Sequence, residues 1–260
     1  MPEIETIEYH QYLLPGVKRI IASGTSSWVG IVDESTVLKY ALQPGGDTSR
    51  LKREGKILTI IGEHPYIIKL KKASEVGLYL ELAVNGTLVE YLKLNHSTIS
   101  IQTRLLWCRE LASAVAYVHS KQVIHCDINP SNIFLDENLH LKLADFQGNY
   151  LSEDGHVILE GGSAEPSRFF CPRADPFEAN VKTDIFALGC TMYYILTGHS
   201  VFPDIVDGEE GWAEKVQDRF MSGQFPEDFE TCNWIVLKCW KQQYDSTSTV
   251  VRDLNAVEMS

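Results

Sequence analysis

Apolar and polar positions follow a two-residue period in the first third of the chain. Residues 17–40 alternate apolar with small or polar side chains between Gly and Ser turn residues, which predicts three strands. Ser49–Ile61 carries Leu and Ile at helical spacing, and residues 66–70 and 78–82 have the pattern of two further strands. The chain up to residue 83 therefore predicts a small lobe of five strands and one helix.

The pattern becomes mostly helical after the turn signal Asn85-Gly86. Residues 102–120 place apolar side chains at helical spacing, and residues 184–196 are apolar nearly all round. The second run is typical of a buried core helix, because spanning a bilayer takes about 20 residues. Further elements are predicted as two helices at Trp212–Met221 and Asn233–Trp240 and two short strands at Ile133–Leu135 and Leu141–Leu143.

Composition restricts the class of protein without naming a function. The chain has 260 residues, 44% of them hydrophobic and 22% charged, which is ordinary for a globular protein of one or two domains. The net charge of −12 argues against binding to nucleic acid or to an anionic membrane. An acidic surface would favour basic substrates, although it also serves solubility alone.

Cysteines and the N-terminal residues indicate an intracellular protein, cytoplasmic or nuclear. The six cysteines show no C-x-x-C pairing and no metal-ligand spacing, so we interpret them as reduced thiols. The first residues are acidic and contain no apolar signal segment.

The strongest chemical signal is a polar constellation between short apolar runs. The sequence HCDINPSN at 125–132 is followed, thirteen residues after its last Asn, by DFQG at 145–148. This places Asp127, Asn132 and Asp145 at offsets of 0, 5 and 18. Carboxylate and amide oxygens are the ligands that a hard cation such as Mg²⁺ prefers. Chance turn residues explain this spacing poorly once the flanking predicted strands are counted.

This spacing resembles the catalytic and metal loops of the eukaryotic protein kinases, H-R-D-x-K-x-x-N and D-F-G. The resemblance covers roughly residues 17–255 and implies an α+β, bilobal protein-kinase fold that forms a single domain over 1–260. The N-lobe, about 17–83, would be a five-stranded antiparallel sheet plus one helix, and the C-lobe, about 84–255, would be mostly helical. The cofactors implied are ATP and Mg²⁺.

The resemblance also implies a role for each site residue. Asp127 would be the base or orienter of the incoming hydroxyl, assisted by Asn129 in the place of the kinase Lys. Lys39 would pair with the α- and β-phosphates and be held by Glu54, while Asn132 and Asp145 would hold Mg²⁺. The remaining nucleotide contacts would come from a degraded glycine loop, Ala22, Gly24, Ser27 and Val29, and from the adenine site, Val37, Leu80, Glu81, Ala83 and Phe134.

Three departures from the kinase pattern lie inside the motifs. Cys126 stands for the Arg that binds a phosphorylated activation loop, Asn129 for the Lys that neutralises the γ-phosphate, and Gln147 for the Gly after Asp-Phe. We expect slower turnover and a stiffer Asp145 loop. Arg168 and Arg173 are candidates for the missing cation, and Arg173 is predicted to pair with Asp245. These variants resemble a divergent group of small fungal protein kinases.

Three functions stay open. The first is an ATP-dependent protein kinase, of Ser/Thr type because Pro130-Ser131-Asn132 resembles the Ser/Thr form of the loop. The second is a pseudokinase that acts as a nucleotide-binding or scaffold module. The third, a small-molecule kinase, is opposed by the long segment from Asp145 to Arg173. The expected partner is a protein substrate, for which the net charge of −12 favours a basic one, with no nucleic acid and no membrane; the sequence does not give the oligomeric state.

Overall fold

The computed structural model describes residues 12–161 and 165–257. The chain divides into two compact units. The first contains the described part of residues 1–55 together with 70–82, and the second contains residues 56–69 and the described part of 83–260.

The first unit is built on a five-stranded antiparallel sheet with the order β1-β2-β3-β5-β4. Its strands are β1 (Arg19–Ser23), β2 (Ser27–Ile31), β3 (Thr36–Ala41), β4 (Leu70–Ser74) and β5 (Gly77–Glu81). Alternation buries one face, where Val17, Leu38 and Tyr40 form a small core. Gly77 is required at the hairpin turn, since its φ is 149° and a Cβ there would lie 2.1 Å from the carbonyl oxygen of Lys39.

The second unit is mostly helical. Its helices are α2 (Leu88–Asn95), α3 (Ile101–Ser120), α4 (Val181–Thr197), α5 (Trp212–Met221), α6 (Asn233–Trp240) and α7 (Thr247–Asn255); helix α1 (Ser49–Ile61) begins in the first unit and ends in this one. Helix α4 is buried along nearly its whole length, as its apolar sequence predicts. Gly189 lets α4 and α6 approach, because a Cβ there would lie 2.7 Å from that of Cys239.

Short strands carry the loops that hold the polar constellation. β7 (Ile133–Leu135) and β8 (Leu141–Leu143) form a hairpin, and β6 (Val123–Ile124), β9 (Asn149–Leu151) and β10 (Val157–Leu159) form a second small sheet in the order β10-β9-β6. The β7–β8 hairpin lies between the two motifs in sequence. Its tight pairing therefore brings the end of HCDINPSN and the start of DFQG to neighbouring positions.

One element prediction is wrong. Residues 66–70 do not form a strand, and β4 begins only at Leu70. Backbone hydrogen bonds join this run to β8 instead. Ile68 donates its N–H to the carbonyl of Leu143, and Leu143 donates its N–H to the carbonyl of Tyr66. A short apolar run has the same sequence pattern whether it enters a sheet or packs as a buried connector.

The predicted five-stranded antiparallel sheet with one helix, followed by a mostly helical unit, is confirmed. No helix within residues 12–161 and 165–257 combines the length and the apolar character needed to cross a bilayer.

Candidate active site

An ion pair fixes the predicted nucleotide lysine in the first unit. Lys39 lies in β3 and Glu54 in the first half of α1, and the Nζ–Oε2 distance is 2.7 Å. Both side chains are largely withdrawn from water, at 12% and 1% exposure. Charges held this close in a poorly solvated place attract strongly, so Glu54 holds the Lys39 ammonium in one position.

The degraded glycine loop is the β1–β2 hairpin. Gly24 donates its N–H to the carbonyl of Ser27 over 2.8 Å, which closes the turn. Ala22 pairs with Val29 across the hairpin, and the Ser27 side chain is buried. Small residues thus keep the turn tight, and the amide of Gly24 is used inside the hairpin.

The predicted adenine contacts fall in both units. Val37 and Leu80 are direct cross-strand partners on β3 and β5, and each is 6% exposed. Glu81 follows Leu80 at the end of β5, while Ala83 and Phe134 belong to the second unit. Val37, Leu80 and Glu81 thus lie on strands of the first unit, and Ala83 and Phe134 lie in the second unit.

The backbone of the catalytic loop is anchored by Asp184, in the first turn of α4. Its carboxylate accepts the N–H of His125 at 2.7 Å and that of Cys126 at 2.9 Å. Cys126 has φ of 64°, a conformation that costs a non-glycine residue energy and persists only where surrounding contacts hold it. The two hydrogen bonds from Asp184 provide that restraint.

Ionised Asp184 is in turn stabilised by His119. Burial raises the pKa of this carboxyl, but the hydrogen bond from His119 Nε2 at 2.9 Å and the other donors outweigh it, and the pKa is lowered overall. The other ring nitrogen of His119 contacts Thr247 Oγ1 at 2.8 Å. The anchor therefore connects the catalytic loop with α3, α4 and α7.

His125 is a structural residue. Its ring is buried, and Nε2 donates to the carbonyl of Ala144 at 3.1 Å while Nδ1 accepts the N–H of Asp127 at 3.3 Å. Burial lowers its pKa, so the imidazole is neutral. Its ring lies 4.8 Å from that of Phe146, which joins the HCDINPSN and DFQG segments.

Two amides hold the carboxylate of Asp127. Asn132 donates to Oδ2 and Asn129 donates to Oδ1, each over 2.7 Å. Asn129 also accepts the N–H of Ser131 and so caps the 3-10 turn Pro130–Asn132. The catalytic loop therefore fixes Asp127 by its own side chains.

The environment of Asp127 shifts the acidity of its carboxyl group towards neutral pH. Burial raises its pKa to about 7, with further increases from the charges of Asp145 and Glu165, against the lowering effect of the two amide hydrogen bonds. A carboxyl group whose pKa lies near neutral pH can accept a proton and release it again.

Asn132 and Asp145 fit a magnesium ion by donor type. Asn132 gives its N–H groups to Asp127, so its amide oxygen is the end of the group that can ligate a cation, and Asp145 contributes carboxylate oxygen. Within the described chain there is no cluster of three His, Cys, Asp or Glu side chains arranged to bind a metal. Mg²⁺ is usually held by one or two protein oxygens together with substrate phosphates, and Asn132 and Asp145 offer an amide oxygen and a carboxylate oxygen of that kind.

Arg168 and Arg173, the two predicted replacements for the missing cation, are both engaged in other contacts. Arg168 is buried and its guanidinium is used by Asp207 and by the carbonyls of residues 201, 202 and 205, so this prediction is wrong. Arg173 forms an ion pair with Glu165 at 3.1 Å. Asp245 pairs with Lys182 at 3.1 Å, so the predicted Arg173–Asp245 pair is also wrong.

Cys126 is a small buried side chain, as expected, and not a reactive thiol. It is 1% exposed, and burial raises its pKa well above its ordinary value. A thiol that stays protonated is a poor nucleophile.

Comparison with known proteins decides the family. The Protein kinase domain family matches residues 33–254, which include every motif described above except the glycine loop. The chain belongs to the protein kinase family. Its two units are the sheet-rich and helical lobes of that fold.

Several curated kinases are similar to this protein kinase domain. It is 29% identical to Sucrose non-fermenting protein kinase 1 of Fusarium virguliforme over 72% of this chain and 27% of that protein. It is 29% identical to CBL-interacting serine/threonine-protein kinase 8 of Arabidopsis thaliana over 70% of this chain and 41% of that protein. An inactive serine/threonine-protein kinase of Mus musculus is 28% identical over 66% of this chain and 31% of its own length. The chain thus spans less than half the length of these relatives.

Three contacts in and around the candidate site of this kinase domain were not predicted from the sequence. They are the contact of His119 with Asp184, the Glu165–Arg173 ion pair and a hydrogen bond from Gln147 to Asp145. The first joins residues 65 apart in sequence, and the second joins residues eight apart in an irregular segment that has no periodic pattern, so neither could be predicted locally. The third was accessible in principle, because a long amide two residues after a carboxylate can reach it.

Proposed function

We propose that this protein kinase domain is an active, ATP-dependent kinase of the Ser/Thr type, which transfers the γ-phosphoryl group to a hydroxyl of a protein substrate. The observation that carries the proposal is the Asp127 carboxylate, held by two amides and given a pKa of about 7. A scaffold has no chemical need for a carboxylate that is both oriented and tuned.

Asp127 would accept the hydrogen bond of the attacking hydroxyl at a carboxylate oxygen and take its proton as the hydroxyl oxygen bonds to the γ-phosphorus. The bond from that phosphorus to the bridging oxygen breaks, and ADP leaves. Asn129 and Asn132 would keep the Asp127 carboxylate in place. Less entropy is then lost when the reacting groups are brought together. Lys39, itself held by Glu54, would neutralise charge on the α- and β-phosphates.

Asn132 and Asp145 would hold Mg²⁺. When bound, the ion neutralises phosphate charge and aligns the γ-phosphoryl group with the incoming oxygen. Support comes from the donor set, one amide and one carboxylate beside Asp127.

We propose that phosphorylation of the activation segment, which runs from Asp145 to Arg173, does not control activity. In kinases that use such control an Arg before the catalytic Asp pairs with the phosphate, and Cys126 in that position is buried and uncharged. Complete dephosphorylation should leave the rate of phosphate transfer unchanged, and a loss of more than half would contradict this part of the proposal.

The proposed setting is intracellular, cytoplasmic or nuclear, with a protein substrate. A basic substrate segment suits the net charge of −12. Phosphoamino-acid analysis of a labelled peptide library tests the Ser/Thr type, since phosphotyrosine as the main product would contradict it.

A pseudokinase is the second candidate. Asn129 supports it, because this residue brings no cation to a γ-phosphate and its amide is used by Asp127. The similarity to a relative described as inactive is compatible with that reading. Such a domain would bind Mg-ATP as a nucleotide-binding or scaffold module without transferring phosphate.

The deciding experiment combines binding and transfer in wild type, Asp127→Asn and a control. Asp245→Asn removes one carboxylate that is 94% exposed and serves as the matched control. The free energy of unfolding of the wild-type protein should rise by about 2.7 kcal/mol when Mg-ATP is present at 100 times its Kd. Transfer to protein should be present in wild type and Asp245→Asn and absent in Asp127→Asn. Binding without transfer in wild type would establish the pseudokinase, and transfer to a metabolite but to no peptide would indicate a small-molecule kinase.

A further inference from the structure

Gln147, in the position of the usual kinase glycine, is bonded to the residue two before it. Its Nε2 donates to Oδ1 of Asp145 over 2.7 Å, and its backbone N–H donates to the Asp145 carbonyl over 3.0 Å. An ionised carboxylate only accepts hydrogen bonds, so the amide nitrogen must face it. Hydrogen bonds with one charged partner are the stronger kind.

The backbone around Gln147 is packed too tightly to turn away. A Cβ on Gly148 would lie 2.0 Å from the carbonyl oxygen of Ile124 and 2.4 Å from that of His125. On Gly161 a Cβ would lie 1.9 Å from the carbonyl oxygen of Gln147. The DFQG segment is therefore enclosed by the catalytic loop and by a later part of the same chain. This enclosure fixes the part of the backbone from which the Gln147 side chain extends.

Asp145 itself needs such support. Its φ is 64°, which an L-residue seldom adopts and which costs energy unless neighbouring contacts hold it. Phe146 is fully buried beside His125 and fixes the residue on one side. The remaining rotation is that of the Asp145 carboxylate, and the hydrogen bond from the Gln147 amide restricts it.

We propose that Gln147 is a positioning residue that sets the orientation in which Asp145 holds Mg²⁺ with ATP. The inference rests on the proposed function. A glycine at 147 has no side chain and could not contact the carboxylate, so Gln147 adds a hydrogen bond that the usual kinase glycine cannot make. Pre-orientation strengthens binding because less rotational freedom is lost when the ligand arrives.

The test titrates Mg²⁺ into protein saturated with an ATP analogue whose γ-phosphoryl group cannot be transferred, and follows thermal unfolding. Gln147→Met keeps the chain length and removes the donor, and Gln147→Glu replaces the donor by a like charge. We expect the midpoint for Mg²⁺ to rise about tenfold in Gln147→Met, equivalent to about 1.4 kcal/mol, and to rise less in Gln147→Glu, because the added carboxylate attracts the cation directly. Gln243→Glu, on an exposed residue, controls for the added charge.

Two additional readouts separate positioning from a structural role. The unfolding temperature without metal and nucleotide should stay close to the wild-type value in Gln147→Met. In transfer assays the apparent KM for Mg²⁺ should rise while the KM for ATP at saturating Mg²⁺ stays unchanged. Each result supports an effect that acts through Asp145.

The outcomes are distinguishable. A wild-type response to Mg²⁺ that Gln147→Met leaves unchanged overturns this inference and leaves the proposed function intact. A variant that loses stability without ligands but keeps its Mg²⁺ midpoint also overturns it. If the wild-type protein shows no response to Mg²⁺ and nucleotide, the proposed function fails and takes the inference with it.

Discussion

Asn129 donates its side-chain amide to the carboxylate of Asp127 over 2.7 Å. The same side chain accepts the N–H of Ser131 at 2.9 Å and is 5% exposed. Both ends of Asn129 are thus used inside the catalytic loop. Where the usual kinase Lys would direct a charge at phosphate, this residue orients the proposed base and caps the turn that follows it.

Removing the Asn129 side chain should impair both functions. Asn129→Ala leaves Asp127 with one amide partner, and we expect the rate of phosphate transfer to fall about tenfold for the loss of one such bond. Losing the cap should also cost about 1 kcal/mol of stability. Thr87→Ala, which removes the capping box of α2, is the matched control: it should cost similar stability and leave the rate unchanged.

Asn129→Lys restores the charge that kinases place here. One well-placed donor at a developing negative charge is worth about 3 kcal/mol of barrier, so turnover should rise above wild type even though the cap is lost. Steady-state kcat and thermal unfolding measure the two effects separately. A kcat no higher than that of Asn129→Ala would mean that holding Asp127 matters more than the charge.

Lys39→Met tests the ion pair of the first unit. The substitution keeps the approximate length of the side chain and removes the positive charge that lies 2.7 Å from buried Glu54. We expect phosphate transfer to fall by about 100-fold or more, as on loss of one preorganised electrostatic donor. Lys52→Met, on the exposed face of α1, should behave as wild type. Equal activity in both variants would remove Lys39 from the proposed mechanism.

The His140–Glu110 contact predicts a pH-dependent part of stability. His140 Nδ1 lies 2.6 Å from Glu110 Oε1, and the hydrogen bond to Glu110 raises the pKa of His140. The stabilisation is therefore complete below the unfolded pKa of about 6.5 and is lost as the pH rises through the higher folded value. The unfolding temperature of wild type should exceed that of His140→Asn by more at about pH 5.5 than at about pH 8.5.

His140 is 47% exposed, so salt should shrink the difference. His156→Asn, at a site 85% exposed, supplies the control and should show a smaller pH dependence. A larger gap at high pH would contradict the assigned direction.

Gly148→Ala should disrupt the join between the two motifs. The added Cβ meets two backbone carbonyls, at 2.0 and 2.4 Å, which cannot move aside as a side chain would. We expect a loss of at least about 3 kcal/mol, beyond ordinary overpacking. Gly208→Ala is the comparison, because Gly208 has φ of 86° but open space around it, so only backbone strain of about 1–2 kcal/mol is added. Equal effects of the two substitutions would show that residue 148 tolerates a side chain.

Local patterns predicted much of the fold. The helix at Ser49–Ile61 begins and ends where its apolar spacing indicates, and the β7–β8 hairpin coincides with the predicted pair of strands. Residues 66–70 were mistaken for a strand because the hydrogen-bond partner of that run, Leu143, lies far away in sequence. The assignment to a small fungal kinase group stays a prediction.

By itself the sequence determined the spacing of the predicted site residues, because short elements and tight turns convert spacing directly into position. These residues are Lys39, Glu54, Asp127, Asn132 and Asp145. Only the tertiary structure decided which charge meets which. Arg173 meets Glu165 while Asp245 meets Lys182, Arg168 is used up by the 201–207 segment, and the amides of Asn129 and Gln147 face Asp127 and Asp145. The reason is physical: a side chain such as Arg173 can reach many partners of equal chemistry, and long-range packing of the backbone selects one of them.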